Sequence, residues 1–274
     1  MKHAAVAIAI ATLLLAAGCS SSDVNEAEPT GQTAAVWRLA ERDIDHGAEL
    51  ARLVEAVDWQ YTDREHRDNR TDRFGTQVQW GYDGPGDSGL SIGSDNVLSW
   101  GYISEEKRAD QLCRASEPTD MTEDAAREAA YAVWETMGVD RDSLAVRNTT
   151  APASNDEPAC YGFTGQLLIA GVPSDLRFVA SVGGPDNIVR SASGFFVEAV
   201  EVGQVPLLAP SASDQRAGED LTSANIGYEA TRLPDNDAMF FVPVWMVSLN
   251  PDLPDVSLAA TRRADVINVV ENAG

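Results

Sequence analysis

Two triplets of one pattern, Trp80-Gly81-Tyr82 and Trp100-Gly101-Tyr102, constrain this chain more than any other feature. Each lies in an alternating run. Val78, Trp80 and Tyr82 form the first, Leu98, Trp100 and Tyr102 the second, and Leu90 and Ile92 a shorter piece between them. Large apolar side chains two residues apart share one face of a strand and leave glycine on the other. The intervening Asp83-Gly84-Pro85-Gly86-Asp87 and Gly93-Ser94-Asp95-Asn96 carry turn chemistry. The stretch therefore predicts a three-stranded meander. Trp80, Tyr82, Trp100 and Tyr102 have two readings, a core-facing row or an exposed platform that stacks sugar rings. Repeated packing is the expected one. No D-x-[DN]-x-[DN]-G-x5-E spacing occurs, so no metal site is expected in the acidic turns.

Helical periodicity flanks the meander. Val36, Leu39, Ala40, Leu50, Leu53, Val54 and Val57 fit a 3.6-residue period, which predicts a helix over 34–57, broken near Gly47. Residues 58–74, dense in acids and arginines, read as a solvated connection. Ala126, Ala129, Ala130, Val133, Trp134 and Met137 form one apolar stripe. Asp120 or Thr122 starts that helix and Gly138 ends it. Strands follow at Leu144–Asn148, Cys160–Ile169, Leu176–Val182 and Ile188–Val202, with turns at Gly171–Asp175 and Gly183–Asn187. The stretch 209–238 is polar and weakly patterned. Met239–Leu249 reads as a buried strand that Pro243 places at an edge or bulge, and Val266–Val270 as the last strand. The fold class expected is α+β, antiparallel sheets packed with a few helices.

The N-terminus carries an export signal. Lys2 precedes the apolar run Ala4–Ala17, which is shorter than the about 20 residues that span a bilayer. Leu14-Leu15-Ala16-Ala17-Gly18-Cys19-Ser20 resembles a lipobox, with Ala16 where leucine is commoner. That resemblance implies cleavage after Gly18 and lipidation of Cys19. Two acyl chains, at about 0.8 kcal/mol per buried methylene, suffice for stable anchoring. The expected organisation is a signal peptide over 1–18 and a flexible polar tether over 19–33 with a reach of roughly 20 Å. An N-terminal helix-plus-meander subdomain over 34–116 and a helix-plus-sheet subdomain over 117–274 follow.

Charge and cysteine content narrow the compartment and the partners. The net charge is −23, and beyond the signal the only lysine is Lys107. Such acidity opposes binding to nucleic acid, which needs a basic surface. With Cys19 lipidated, Cys113 and Cys160 remain as an even pair in an oxidising compartment, so a disulfide is expected. Closing a loop of roughly 47 residues stabilises by about 4 kcal/mol in the chain-entropy model.

Catalytic signatures are missing. The G-x-S-x-G match at Gly89-Leu90-Ser91-Ile92-Gly93 lies inside the alternating meander and not at a strand-to-helix elbow, and there is no H-E-x-x-H or P-loop. After the signal only His46 and His66 remain as histidines, both in the N-terminal region. No catalytic residue, metal or cofactor is therefore expected. A carboxylate pair among the 43 acids is the residual enzymatic reading.

The order of helix, strand and antiparallel hairpins, with the turn Val182-Gly-Gly-Pro-Asp-Asn-Ile-Val189, resembles a PepSY-like module. The wider layout is similar to uncharacterised actinobacterial lipoproteins. The likeness rests on the lipobox, the Trp-containing meander, the Ala-rich helix, Ser193-Gly-Phe-Phe-Val197, Val202-Gly-Gln-Val-Pro-Leu-Leu208 and Val242-Pro-Val-Trp245. It implies two PepSY-like α/β-hairpin modules and a role in inhibiting or regulating extracytoplasmic enzymes, with no catalytic residues to carry over. The expectation is a non-enzymatic lipoprotein on the outer face of the cell membrane, held by the lipid on Cys19 and binding an envelope protein partner. The alternatives are a cell-wall glycan or small-ligand binder that uses the four aromatics, and a carboxylate-dependent hydrolase.

Overall fold

A computed structural model describes residues 29–40, 45–72, 75–86, 88–94, 99–104, 119–150, 159–184, 187–209, 225–233, 238–247 and 256–273. Two successive units of this chain share one plan, a helix followed by four antiparallel strands. In the first, α1 (His46–Ala56) leads into β2 (Glu65–Asp72), β3 (Gly75–Asp83), β4 (Gly89–Ser94) and β5 (Ser99–Ile103). In the second, α2 (Glu123–Thr136) leads into β6 (Leu144–Asn148), β7 (Cys160–Ile169), β8 (Val172–Gly183) and β9 (Ile188–Phe195). Each unit is a meander, and the two meet edge to edge through their last strands. The antiparallel run is therefore β6-β7-β8-β9-β5-β4-β3-β2.

Both helices start and stop for local reasons. Asp45 Oδ1 accepts from the amides of Gly47 and Ala48 at the start of α1, and Thr122 Oγ1 accepts from Ala125 N at the start of α2. These bonds satisfy amides that have no intrahelical partner. The ends repeat one motif. Trp59 N donates to Val54 O and Val139 N to Trp134 O, with Asp58 (φ 51°) and Gly138 (φ 86°) in the left-handed region between. This is a Schellman closure, for which Gly138 carries no Cβ penalty. The buried faces lie on the same side of the sheet. Leu50 and Leu53 of α1 and Ala126, Ala130, Val133, Trp134 and Met137 beside them join Ile92, Trp100, Phe163, Phe178 and Val182 in one core.

A second sheet forms around β12 (Met239–Val247). It pairs with β11 (Asn225–Arg232) along one edge. The other edge is shared by β1 (Pro29–Leu39) and β13 (Val256–Ala259), and β10 (Ala199–Leu208) pairs beyond β1. The parallel pairing of Tyr228 with Ser174 links β11 to β8, and Ala230 N donates to Asp175 Oδ1 at 2.9 Å. Helix α3 (Arg263–Asn272) packs on β10. The fold class is α+β, mostly antiparallel sheet, with three described helices.

Several sequence expectations are corrected. The helix expected over 34–57 is a strand to Leu39 and a helix only from His46. Pro29–Thr33, expected in the tether, is already β1. The segment 34–40 is too short and uncapped to nucleate alone, whereas β10 supplies its backbone partners. Through β1, the start of the expected 34–116 unit pairs with the C-terminal sheet. Residues 65–72, read as a connection, are the edge strand β2. Its charges are what an edge carries against pairing with another chain. The strand expected over 188–202 is two, because the chain crosses between sheets at 196–198. Residues 225–232 form β11 within the stretch read as unpatterned. Val266–Val270 is helical. Val266 is buried there, and Val269 Cγ1 lies 2.7 Å from where a Cβ on Gly203 would stand. Pro243 sits mid-strand, in the gap between Phe241, paired with β1, and Val244, paired with β13.

Burial raises the Tyr228 phenol above its ordinary range. The nearby Trp37 indole opposes this, and Glu201 adds to it. A raised folded value means that the folded chain holds the proton more tightly. The stability it contributes is complete below about pH 10, the ordinary tyrosine value, and is lost as pH rises through the folded value. Urea midpoints measured from neutral pH upward should fall in this alkaline range for the parent, and fall less for Tyr228→Phe.

Candidate functional site

The repeated triplets form two rows across the sheet. Trp80, Ile92 and Trp100 stand opposite one another on β3, β4 and β5, and Tyr82, Leu90 and Tyr102 form the next row. The rows continue across the seam onto β9, where Trp100 faces Gly194 and Tyr102 faces Ala192. Large side chains on β5 thus meet the smallest on β9. A Cβ on Gly194 would overlap the Phe178 ring and lie 3.0 Å from Trp100 Cζ2. Trp100 and Tyr102 are 2% and 7% exposed. Trp80 and Tyr82 are half-buried against the same core. Arg67 stands 4.3 Å above the Trp80 ring and His46 5.9 Å from it. The four aromatics, for which stacking is the alternative reading, therefore face the core and the helices. Helix α1 lies over β3 and β4.

Cys160 is disulfide-bonded. Its expected partner Cys113, and Cys19 at the expected anchor, lie outside the described residues. Ala159 O and Cys160 Cα close on Gly183, where a Cβ would stand under 3.0 Å from both. Among the described residues, no three histidine, cysteine or acidic side chains gather as a metal site would require.

The tertiary structure adds a cleft that the alternation did not signal. It has a volume of about 540 Å³ and lies where the end of α1 approaches the ends of β5 and β9. The Schellman closure at Asp58 turns Trp59 inward. The Trp59 indole N–H donates to Tyr61 O at 2.8 Å, and its ring meets those of Tyr61 and Tyr102 edge-on at 5.4 and 5.9 Å. One wall is therefore aromatic. The opposite wall begins β9 at Asn187–Arg190, and Ala129 of α2 contributes at the side. Ser104 N donates to Arg190 O at 2.8 Å, which ties the two strand ends together. Arg190 is buried, with Nε donating to Gly183 O at 3.0 Å. The Ser104 hydroxyl is buried and has no hydrogen-bond partner. Glu55, Asp58, Gln60, Asn187 and Ile188 are exposed, so the cleft opens to solvent.

Only Tyr102 of the sequence candidates reaches this cleft. Trp59, Tyr61, Ser104 and Arg190 are not singled out by the sequence pattern. Trp59 and Tyr61 fall in the stretch read as a solvated connection, and the paired Trp-x-Tyr there was the available signal.

No family model matches the chain, and no curated protein matches it. A solved structure, that of an uncharacterized protein from Eubacterium rectale ATCC 33656, is similar at 10% sequence identity. The match covers 82% of this chain and 82% of that chain, with a TM-score of 0.48.

The two tryptophans of the row differ in burial, and their truncations should differ accordingly. Trp100→Ala should cost about 3–5 kcal/mol, the usual range for an aromatic removed from a core. Trp80→Ala should cost about half as much, since part of that ring is already exposed. Gly194→Val, which forces apart Phe178 and Trp100, should cost about 1–3 kcal/mol. Urea denaturation of the three variants measures these differences.

Proposed function

We propose that this chain is a lipid-anchored extracytoplasmic lipoprotein, non-enzymatic, that binds an envelope protein partner as a regulator or assembly factor. The lipobox-like Leu14–Cys19 and the polar stretch after it support the anchor. The disulfide at Cys160 fits an oxidising space. Among the described residues no helix is long and apolar enough to cross a membrane. In this reading the protein is held on the outer face of the membrane by the lipid on Cys19, and the two helix-plus-four-strand units are PepSY-like modules.

The observation that carries partner binding is the other face of the long sheet. Both α1 and α2 pack on one side, and α3 packs on β10. On the opposite side Val179 pairs with Ser193, Ser193 with Gly101 and Gly101 with Ser91, while Ile103 pairs with Ser191. Val179 and Ile103 are 41% and 37% exposed there. Small side chains leave a shallow surface with two apolar projections, which suits contact with another protein surface. The acidic balance of the chain favours a basic partner surface.

Cross-linked membranes carrying the parent chain should yield a stoichiometric envelope protein. Val179→Arg and Ile103→Arg should each abolish its recovery without lowering Tm, because both side chains are exposed. Unchanged recovery with both variants would overturn the placement of the contact. Cys19→Ser should move the chain from the membrane to the soluble fraction, and mass spectrometry showing an unmodified Cys19 in the native product would remove the anchor.

A further inference from the structure

We propose that the surface around the start of β1 rests on an anionic phospholipid leaflet, with Arg262 and Arg263 against the lipid phosphates. The contact depends on the lipid anchor proposed above and on no protein partner.

Chain length limits how an anchored body can sit. β1 begins at Pro29, so ten residues lead from Cys19 to the first strand. Ten residues span at most about 35 Å. The eleven residues of β1 alone extend about 36 Å. The Pro29 end of the body therefore stays nearest the leaflet. Local hydrogen bonds fix what surrounds that end. Pro29 pairs with Leu208, and Thr30 Oγ1 donates to Leu207 O at 3.0 Å. Leu208 N donates to Ala260 O at 2.8 Å, and the Trp245 indole N–H donates to Leu208 O at 3.0 Å. The start of β1, half-buried Trp245 and the segment leading into α3 are thus neighbours.

Charge sets the partner. Arg262 precedes α3 and Arg263 opens it, two and three residues beyond Ala260, and both are exposed. Neither is in an ion pair among the described residues. Asp265, the acid of that first turn, is half-buried. Arginines at a helix start oppose the helix dipole, so α3 gains no stability from them. With a net charge of −23, most of the chain is repelled by an anionic leaflet. Two free guanidiniums beside the anchored end favour the one orientation that brings them to lipid phosphates, which arginine binds bidentately. Trp245 stands beside them, and tryptophan is enriched at headgroup depth.

The lipidated full chain is reconstituted into vesicles of phosphatidylcholine alone and of phosphatidylcholine with phosphatidylglycerol. Each contains a lipid with a headgroup nitroxide, which quenches tryptophan at short range. Flotation with the vesicles reports the anchor, and quenching reports the contact. Quenching is expected in the phosphatidylglycerol vesicles, falling as salt rises and lost in Trp245→Phe. In the double variant Arg262→Glu, Arg263→Glu the ratio of docked to free chain should fall roughly twentyfold, about fivefold for each arginine. Acidic residues suit that end of α3, so the double variant should hold or raise Tm. Flotation without quenching overturns the contact and leaves the anchor standing. Failure to float removes the anchor and the contact with it. Equal quenching in both vesicles, the outcome if Asp23, Glu26 and Glu28 neutralise the arginines, overturns the role of charge, as does undiminished quenching in the double variant.

Discussion

The pairing of β5 with β9 is the constraint on which the rest of the structure depends. Two units, each unable to cover its own sheet edge, join there through backbone hydrogen bonds between segments about ninety residues apart. The join is specific because side-chain sizes are complementary across it. Trp100 faces Gly194 and Tyr102 faces Ala192, so two rings lie over two nearly bare backbone positions. A one-residue slip would bring Trp100 against a serine or Phe195 and turn the aromatics to the wrong face. Phe178 fills the remaining space above Gly194 and carries the packing on to Trp134 of α2, 6.4 Å away between ring centres. One core therefore runs from α1 through the seam to α2, and the units fold as a single body around it.

The same seam shapes the surfaces on both sides of the sheet. On the helix side, the end of α1 stops short of the ends of β5 and β9, and the gap is the cleft. The bond from Ser104 N to Arg190 O closes its floor. On the far side, the residues that alternate with the aromatics are glycines and serines, which leave the face shallow. A pattern of large and small residues along β5 thus sets the core on one side and a low-relief surface on the other. A substitution at exposed Val179 leaves the packing row untouched, whereas variants at Trp100 or Gly194 report on folding.

What could be read along the chain was what local chemistry decides. The alternation of Trp80 and Tyr82 placed β3, the Ala-rich stripe placed α2 with its Gly138 end, and the limits of β6 and β7 match the residues expected. Failures fall where long-range pairing overrides local preference. Ala34–Ala40 has a helical pattern, yet it is held as a strand by β10. Val266–Val270 has strand composition, yet it is helical because Val266 and Val269 fit against β10 and Gly203. β2 has no apolar alternation at all, since an edge strand needs only a neighbour's hydrogen bonds and one cover for Trp80, which Arg67 supplies.

By itself the sequence determined the strand character of the Trp-Gly-Tyr stretches, the α2 stripe, the mixed α+β class and the acidic balance. These follow from side-chain spacing and capping, which act within a few residues. Only the tertiary structure decided that the two units join through β5 and β9, that β1 leaves its own neighbours for the C-terminal sheet, and that Trp59, Ser104 and Arg190 come to share a cleft. Those outcomes depend on contacts between residues tens to hundreds of positions apart, where size complementarity and backbone pairing act and no local pattern records the partner.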